Sequence, residues 1–256
     1  MNPAHVVITG ASSGIGAALA RHYAGPSVRL SLLGRDAARL EAVAADCRAK
    51  GAEAACHVGD VTNAAAMQAW LADCDGSRAV DLIIANAGIG GDQVLAGAGG
   101  ETLAAANHIM AVNAQGVMNS VIPLLPAFIT RRKGGVVIIG SLAAFIALPD
   151  APVYSASKAA IRIYGHGLRR LLAPHGIKVT IASPGFIDTP MSASLSTPRP
   201  FLWTAERAAR RIAKAAARGE REVIFPFGLA LAVWLATRLP TAILDAILIR
   251  IRNKNA

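Results

Sequence analysis

A tyrosine and a lysine four residues apart are the side chains of this chain best suited to acid–base chemistry. Tyr154 and Lys158 stand in the run Tyr-Ser-Ala-Ser-Lys, 13 residues after Ser141. Residues at i and i+4 share one face of a helix, so this spacing holds the ammonium beside the phenol. The ammonium favours the phenolate and lowers a pKa that starts at about 10. The pair can therefore exchange a proton with a substrate oxygen near neutral pH.

A glycine-rich turn near the N-terminus has the composition of a phosphate site. The apolar run His5–Ile8 predicts a buried strand, and the stretch Ala17–Tyr23 predicts a helix. Residues 9–16 between them read Thr-Gly-Ala-Ser-Ser-Gly-Ile-Gly. Glycines at such a turn let the backbone approach a pyrophosphate, and the helix N-terminus offers N–H groups and partial positive charge. A turn without a ligand is the alternative, but the position between a strand and a helix favours a dinucleotide.

Further motifs follow in an order that resembles the short-chain dehydrogenase/reductase family, from about residue 5 to about residue 226. The resemblance implies a catalytic tetrad formed by Asn113, Ser141, Tyr154 and Lys158. It also implies a cofactor loop at residues 9–16 and an adenine contact at Asp60 and Val61. Residues 86–88 resemble a motif that supports the central sheet, and residues 184–189 resemble the segment that contacts the nicotinamide. The implied cofactor contacts are Gly10, Ser12, Ser13, Gly14, Ile15, Gly16, Asp60, Val61, Asn86, Ala87, Gly88, Tyr154, Lys158, Pro184, Gly185, Ile187 and Thr189.

The resemblance assigns each member of the tetrad a role. Tyr154 is expected to be the general acid in reduction and the base in oxidation, and Lys158 to lower its pKa and contact the nicotinamide ribose. Ser141 would bind the substrate oxygen and stabilise charge that develops there. Asn113 would hold a water that relays protons to Lys158. Alternatively, Asn113 satisfies backbone groups at a helix kink, and the two roles are compatible.

The implied reaction is hydride transfer between a nicotinamide cofactor and a carbonyl or secondary alcohol, with the substrate and the direction left open. The alternative is a non-catalytic NADP-binding sensor or scaffold. Such a protein could lose Tyr154 or Lys158 without penalty, and this chain has both. We therefore predict an enzyme.

The end of the second predicted strand, Val28–Leu33, indicates which cofactor is bound. An acidic residue at this point usually holds a free ribose 2′-hydroxyl, whereas a 2′-phosphate requires a cation. Here Gly34 stands at the acidic position, and the guanidinium of Arg35 can make two parallel bonds to a phosphate. Asp36 follows, but at a helix start it is expected to cap the helix. We predict NADP(H), with a plain surface charge as the alternative for Arg35.

Alternating strand and helix patterns over 256 residues predict the fold. Strands are predicted at His5–Ile8, Val28–Leu33, Asp81–Ala85, Val136–Gly140 and Lys178–Ser183, with helical patterns between them. This alternation predicts an α/β fold: a single Rossmann-type domain with a doubly wound parallel sheet and helices on both faces. We assign residues 1–226 to this domain and residues 227–256 to an apolar C-terminal helical extension.

Two loops interrupt this alternation. Gly88–Gly100 is rich in glycine and is predicted to be exposed. Ser192–Pro200 is rich in Ser, Thr and Pro and follows the expected nicotinamide segment. We interpret the second loop as a substrate lid, with a passive surface connection as the alternative.

The net charge of +10 is concentrated in the C-terminal part of the chain. Residues 161–256 hold 15 basic and 5 acidic side chains, whereas residues 1–160 hold 11 of each. No recognised nucleic-acid motif accompanies the excess, so nucleic acid is not an expected partner.

Cys47, Cys56 and Cys74 lack metal-ligand spacing and are expected to be reduced thiols. The N-terminus has no signal-peptide pattern, so we expect a cytoplasmic protein. The residue spacings give no reason to expect a metal site.

The C-terminal extension departs from the pattern of the family. Phe227–Leu239 is apolar around almost its whole circumference, and Pro240 separates it from Thr241–Arg252, which has an apolar stripe at helical spacing. Each segment is shorter than the ~20 residues that a spanning helix needs. The preceding predicted helix, Ala205–Gly219, has one basic stripe. Its members are Arg207, Arg211, Lys214 and Arg218, opposite Ala209, Ile212, Ala213 and Ala216.

Two interpretations of the extension remain open. It could lie in the headgroup region at the inner face of a membrane, with its cations on anionic lipid. Alternatively, it caps the substrate pocket or packs against a second subunit, and the basic stripe is simply solvated. Both interpretations imply an apolar environment for the substrate.

The resemblance also implies a homodimer or homotetramer. Members of the family generally pair through helices that correspond to Gln115–Ile129 and Tyr154–Leu172. Both segments carry more apolar residues than one core face of a helix requires, and we count Val117, Val121 and Ile161 among these additional residues. The sequence does not decide between the two assemblies.

Overall fold

The computed structural model describes residues 3–90, 102–193 and 198–255, with side chains described as far as Arg250. Its strands are β1 His5–Thr9, β2 Arg29–Gly34, β3 Glu53–Val58, β4 Leu82–Ala85, β5 Gly135–Ile139, β6 Lys178–Pro184, β7 Ile187–Asp188, β8 Trp203–Thr204 and β9 Glu222–Phe225. Seven of them form a parallel sheet in the order β3-β2-β1-β4-β5-β6-β9. The short strands β7 and β8 pair with each other.

Helices cover both faces of this sheet. They are α1 Gly14–Tyr23, α2 Ala37–Ala49, α3 Ala64–Ser77, α4 Leu103–Met110, α5 Gly116–Val121, α6 Leu125–Arg131, α7 Pro152–Leu172, α8 Pro190–Ala193, α9 Ala205–Arg218, α10 Phe227–Ala236 and α11 Thr241–Asn255. One hydrophobic core lies between the sheet and α1, α2 and α9. A second core lies between the opposite face and α3, α5, α6 and α7.

The strands are apolar at consecutive positions because both of their faces are buried. In β1, Val6 and Ile8 belong to the core beneath α1, whereas Val7 belongs to the core on the other face. All three side chains are fully buried. Side chains alternate along a strand, so a continuous apolar run is what a sheet covered on both sides requires. The predicted doubly wound α/β fold is confirmed.

The helix predicted over Gln115–Ile129 is broken into several pieces. A π-helical turn at Ala111–Gln115 joins α4 to α5, and a 3₁₀ turn at Ile122–Leu124 joins α5 to α6. Prolines near the start of the 3₁₀ turn and of α6 remove backbone donors, which explains the second interruption. The whole stretch from Leu103 to Arg131 is long and apolar enough to cross a membrane, but it is half buried, as a core helix is.

The apolar side chains that we counted as additional to the core face of the expected pairing helices are in the core. Val117 and Val121 of the α5 segment and Ile161 of α7 are all fully or almost fully buried against the sheet, so this part of the prediction is wrong. The apolar residues that these helical segments do expose are Ile122, Ile163 and Leu171. The residues that we counted as additional belong to the core face because the sheet covers a wide arc of each helix.

Two predicted loops fall largely outside the described residues. The glycine-rich loop Gly88–Gly100 is described only as far as Gly90, and of Ser192–Pro200 the central residues 194–197 are not described. Their predicted exposure and the predicted lid stay predictions.

Candidate active site

A cleft of about 630 Å³ opens at the carboxyl ends of the parallel strands. The chain leaves β1 towards β2 and β3 on one side, and β4 returns on the other side of β1. In open α/β sheets, ligands bind where the strand order reverses in this way. Loops that follow all six strands from β1 to β6 line the cleft.

The turn after β1 needs its glycines for geometric reasons. Gly10 has a φ of 66°, a left-handed conformation that residues with side chains rarely adopt. A Cβ added at Gly16 would collide with the carbonyl oxygen of Gly10 and would lie 2.5 Å from Nδ2 of Asn86. That same Nδ2 donates to the carbonyl oxygens of Thr9 and Gly10, each at 3.0 Å. Asn86, after β4, therefore holds the turn after β1 in place.

The N-terminus of α1 faces the cleft as an anion site. Ser12, Ser13, Gly14 and Ile15 line the cleft at this point. Ser13 is the N-cap but makes no side-chain capping bond, and the first turn of α1 holds no acidic residue. The first backbone N–H groups of a helix have no partner within it, so they and the helix dipole are available to a phosphate.

Two arginines lie on the rim of the cleft after β2, one directly after the strand and one in the first turn of α2. Arg35 and Arg39 are both exposed and both line it. Asp36 caps α2, as predicted, by accepting from the backbone N of Arg39 at 3.0 Å, and it also pairs with that arginine's Nε at 3.2 Å. Gly34 is buried with its Cβ position 3.1 Å from Ser12. Sequence reasoning missed Arg39, although its position four residues after Arg35 at the start of a predicted helix was the available signal.

The residues after β3 form the next part of the rim. Asp60 and Val61 line the cleft. The backbone N–H of Thr62 donates to Oδ1 of Asp60 at 2.9 Å and lowers the pKa of that carboxyl. Val61 is buried against Gly116, where a Cβ would lie 2.5 Å from the valine side chain. Asp60 is thus a fixed, charged acceptor beside the strand end.

Tyr154 and Lys158 lie in the first two turns of α7 and line the cleft together with Ser141. The Nζ atom of Lys158 is 5.7 Å from the centre of the Tyr154 ring and donates to the carbonyl oxygen of Ile139 at 3.2 Å. Lys158 is 5% exposed, and burial lowers the pKa of its ammonium from 10.5 to about 8. Ser141 Oγ accepts from the backbone N of Ala143 at 3.1 Å. Because that hydroxyl acts as an acceptor here, its own hydrogen is available for a substrate oxygen.

Asn113 lies behind the cleft instead of lining it. It is fully buried in the π-helical turn, where its Oδ1 accepts from the backbone N of Ile89 at 2.8 Å. Its Nδ2 donates to the Ile89 carbonyl oxygen at 3.0 Å and to Ser157 Oγ at 3.1 Å. Ser157 in turn donates to the Tyr154 carbonyl oxygen at 2.7 Å. Asn113 therefore ties the loop after β4 to α7, and sequence reasoning missed Ser157 as the link.

The far end of the cleft is apolar. Pro184 at the end of β6 and Gly185, Ile187 and Thr189 after it line this end, as do Ser192 and further apolar side chains from several elements. Those side chains are Leu142, Ala143, Ile146, Leu148, Phe186, Pro190, Met191, Leu229 and Val233. Leu229 and Val233 belong to α10, and a Cβ at Gly185 would lie 2.7 Å from Leu229 Cδ2. The C-terminal extension thus forms one wall of the cleft.

With two exceptions, all the predicted site residues line this one cleft. Gly16 and Asn113 are the exceptions, and each contacts residues that do line it. The cleft combines a glycine turn without room for side chains, a helix N-terminus with no acidic residue or side-chain cap, and two cations after β2. These features fit a nicotinamide dinucleotide with its phosphates on α1 and its nicotinamide beside Tyr154.

Known proteins with similar sequences and structures are oxidoreductases. The short chain dehydrogenase family model matches residues 4–200. An uncharacterized oxidoreductase of Myxococcus xanthus is 34% identical over 247 residues, which cover 96% of each chain. The 11-beta-hydroxysteroid dehydrogenase-like 2 protein of Arabidopsis thaliana is 36% identical over 232 residues, covering 86% of this chain and 73% of that one. Among solved structures, a short-chain dehydrogenase from Sphingobium yanoikuyae in complex with NADPH is 27% identical with a TM-score of 0.76, over 87% of this chain and 88% of that one.

Proposed function

The chain belongs to the short-chain dehydrogenase/reductase family, and on that premise we propose that it transfers a hydride between NADP(H) and a carbonyl or secondary alcohol of a lipophilic substrate. Membership of the family makes it an oxidoreductase that acts on CH–OH or C=O groups of a small molecule with a nicotinamide cofactor. The observation that carries the proposal is the presence of Ser141, Tyr154 and Lys158 in the same cleft as the glycine turn.

The proposed chemistry divides between these three side chains. When bound, NADPH supplies the hydride for reduction. Tyr154 delivers the proton to the substrate oxygen, and the nearby Lys158 ammonium stabilises the phenolate that remains. Ser141 donates its hydroxyl hydrogen to the same oxygen and stabilises the negative charge that develops there. Ser141 keeps its hydrogen throughout, and in oxidation the Tyr154 phenolate takes the proton from the alcohol.

Asn113 is proposed to serve a proton relay through its Oδ1. Both hydrogens of its amide are committed to Ile89 and Ser157. Its Oδ1 accepts one bond from the described residues, and an amide oxygen has two lone pairs. The Cβ position of Gly88 lies 3.2 Å from this Oδ1 and 3.4 Å from Lys158 Nζ. The space left by the missing side chain is therefore bordered by both groups, which supports a water held between them.

The preference for NADP(H) over NAD(H) is supported by charge at the end of β2. Gly34 offers no carboxylate to a ribose 2′-hydroxyl, and Asp36 is engaged with Arg39. Arg35 has no ion-pair partner among the described residues, so its guanidinium can bind a 2′-phosphate. The Sphingobium yanoikuyae relative, at 27% identity, is a complex with NADPH.

A lipophilic substrate is supported by the lining beyond Tyr154. The side chains contributed there by α10 and by residues 142–148 after β5 are apolar, and α8 adds Pro190, Met191 and the hydroxyl of Ser192, which is bonded to the Ile187 carbonyl oxygen. No basic or acidic residue lines that end among the described residues. A charged substrate would lose its hydration without a compensating partner, whereas an apolar one gains by burial.

The test is NADPH consumption over a graded panel of carbonyls, from short polar ketones to long-chain aldehydes and steroids. We expect turnover to rise with the apolar size of the substrate. Tyr154→Phe should lower kcat by roughly 10²- to 10⁴-fold while NADPH binding is retained, because only the transferable proton is removed. Normal turnover in that variant would refute the assigned chemistry. Saturable NADPH binding without turnover of any carbonyl would support the non-catalytic sensor or scaffold instead.

A further inference from the structure

The C-terminal extension exposes an unusual amount of apolar surface. No residue of α10 is buried, and none is buried between Thr241 and Arg250. Phe227 is 79% exposed and Trp234 is 52% exposed, with Leu231, Leu235 and Leu239 also exposed nearby. Contiguous apolar surface of this kind marks a place where a soluble domain meets a partner or a membrane.

The two faces of α10 have different surroundings. Leu229 and Val233 lie one turn apart and line the cleft. At 100° per residue, Phe227, Leu231 and Trp234 project from the opposite side of the helix, where they are exposed. A single helix of 10 residues therefore separates the apolar end of the cleft from the exposed apolar surface.

Neighbouring segments expose further apolar side chains. The ring of Phe201 lies 3.1 Å from the Cβ position of Gly228 in α10, and Phe201 and Leu202 are both exposed. In α11, Ile243 and Ile247 are one turn apart and exposed. We call these residues, together with the exposed apolar residues of α10, the tail patch.

Positive charge borders the tail patch. Residues 227–256 contain four basic side chains (Arg238, Arg250, Arg252 and Lys254) and one acidic side chain, Asp245. The guanidinium of Arg238 lies 4.7 Å from the centre of the Trp234 ring. Neither Arg238 nor Arg250 has an ion-pair partner within the described part of the chain.

We propose that the tail patch docks on an anionic phospholipid bilayer, with α10 and α11 lying in the headgroup region. Apolar side chains surrounded by Arg and Lys, with a tryptophan among them, match the composition of interfacial helices. Each basic residue near an anionic leaflet contributes about 1 kcal/mol of attraction.

Length and charge distinguish this occupant from the alternatives. α10 has 10 residues and α11 has 15, and Pro240 separates them, so neither reaches the ~20 residues of a spanning helix. In a two-fold contact between copies, each patch meets an identical patch. The cations bordering it would then face one another, and like charges across an interface are unfavourable.

Docking would place the apolar end of the cleft at the membrane surface. This consequence rests on the proposed function, because it requires a substrate in that cleft. The exposed side of α10 would enter the headgroup region while its other side still contacts the substrate. A lipophilic carbonyl could then pass from the bilayer to Tyr154 past α10 without crossing water.

Flotation of the full-length protein with vesicles tests the proposal directly. The probes are vesicles of phosphatidylcholine alone and vesicles with added phosphatidylglycerol. We expect flotation with the anionic vesicles, little with the neutral ones, and a decrease as salt screens the charges. Arg238→Gln/Arg250→Gln should weaken partitioning by roughly fivefold for each cation removed. The matched control is Arg170→Gln/Arg221→Gln, which removes two exposed arginines outside the extension.

The apolar part of the patch is tested by Leu231→Glu/Trp234→Glu, which should abolish flotation. Leu103→Glu changes an exposed leucine on α4 and should leave flotation unchanged. Independently of any folding defect, tryptophan emission of the unchanged protein should shift to shorter wavelength on anionic vesicles. The shift should disappear in Trp234→Phe, in which the less exposed Trp70 and Trp203 remain.

Three results would overturn the proposal. The unchanged protein could remain unbound, the apolar variant could float as well as its control, or light scattering could show that Leu231→Glu/Trp234→Glu dissociates a dimer that never binds vesicles. The last result would assign the patch to a second copy. Tyr154→Phe should float like the unchanged protein, so failure of docking and failure of the proposed chemistry are distinguishable.

Discussion

Lys158 links burial to chemistry at the scale of single residues. Its aliphatic stem and ammonium are enclosed by α7 and the end of β5, and Nζ donates to the carbonyl oxygen of Ile139. Burial lowers the pKa of the ammonium to about 8, so the positive charge persists at neutral pH but is lost under mildly alkaline conditions. The charge that the proposed role of Tyr154 requires is therefore sensitive to pH.

We expect kcat/KM for carbonyl reduction to fall as the pH rises through about 8, the pKa of Lys158. Above that pH the neutral amine no longer stabilises the phenolate that forms when Tyr154 gives up its proton. A pH–rate profile at saturating NADPH measures the effect. A flat profile up to pH 9.5 would show that the charge of Lys158 does not contribute to the rate.

The same pKa predicts how stability depends on pH. The pKa of Lys158 is about 8 in the folded protein and 10.5 in the unfolded chain, so the unfolded chain binds more protons between these pH values. Burial of the ammonium therefore destabilises the fold fully below pH 8, and the destabilisation disappears as the pH rises to 10.5. We expect Lys158→Met to abolish turnover and raise the unfolding free energy at pH 7 by about 2 kcal/mol, allowing for the lost bond to Ile139. The advantage should shrink as the pH rises towards 10.5. Urea unfolding of Lys158→Met and of the unchanged protein at pH 7 and near pH 10.5 measures the difference. Equal unfolding free energies at pH 7 would contradict the prediction.

Arg35 is predicted to set the cofactor preference. Arg35→Ala should lower kcat/KM with NADPH by roughly 10- to 100-fold, the loss expected for a charge-assisted contact, and should change the value with NADH little. Arg170→Ala serves as a control at an exposed arginine of α7 outside the cleft. Steady-state kinetics with both cofactors measures the preference. If the NADPH:NADH ratio stays unchanged, Arg35 is only a surface charge.

At the scale of elements, the approach of α7 to the sheet positions Tyr154 and Lys158. Gly165 makes this approach possible, since a Cβ there would lie 2.7 Å from Cγ1 of Ile181 in β6. Gly167, two residues further along α7, is exposed and its Cβ position has no neighbour within 4 Å. The two glycines therefore form a natural pair in which only one is required by packing.

Alanine substitutions at this pair should have opposite effects. Gly165→Ala should push α7 away from β6, lower the unfolding free energy by about 1–3 kcal/mol and reduce kcat as the catalytic side chains shift. Gly167→Ala should raise the unfolding free energy by up to about 1 kcal/mol through helix propensity and leave kcat unchanged. Urea titration and steady-state kinetics of both variants provide the comparison. Equal changes in stability would mean that the close contact does not limit the position of α7.

At the scale of the whole molecule, the cleft exists only when distant parts of the chain are assembled. Its lining extends from Gly10 to Val233, and Thr189 lies over the glycine turn, with its Cγ2 atom 3.0 Å from the Cβ position of Gly14. A cofactor in this cleft would contact the loops after six strands at once. Cofactor binding and global stability should therefore be coupled. Pairing of subunits, expected as a homodimer or homotetramer, stays a prediction, with Ile163 and Leu171 exposed on α7.

NADPH should stabilise the folded protein by mass action. At a concentration 100 times its Kd, the gain in unfolding free energy is about 2.7 kcal/mol, and NADH at the same concentration should give less. Thermal unfolding across a cofactor titration measures both. Gly16→Val, whose side chain would collide with the carbonyl oxygen of Gly10, should lose the shift. An equal shift with NADH would contradict the proposed preference.

Local patterns predicted much of the fold because both periodicities are strong in this chain. The five predicted strands agree with β1, β2, β4, β5 and β6 to within one or two residues at each end. Four strands were missed: the two-residue strands β7 and β8, and two strands of the main sheet, β3, most of whose residues are not buried, and β9, which has only four residues. Edge strands carry weaker apolar patterns because half or more of their surface faces solvent. Counting Val117, Val121 and Ile161 as additional to the core face was wrong because periodicity does not reveal how much of a helix the sheet covers.

The sequence by itself determined the family, the α/β architecture and the types of side chain available for chemistry, because glycine turns, strand runs and the Tyr–Lys spacing are local features of the chain. Only the tertiary structure decided which residues share the cleft. It moved Asn113 behind the cleft with Ser157 as its link to α7, and set Leu229 and Val233 of α10 in the wall. Such neighbours are created by strand order and helix packing between segments far apart in sequence, which no local pattern records.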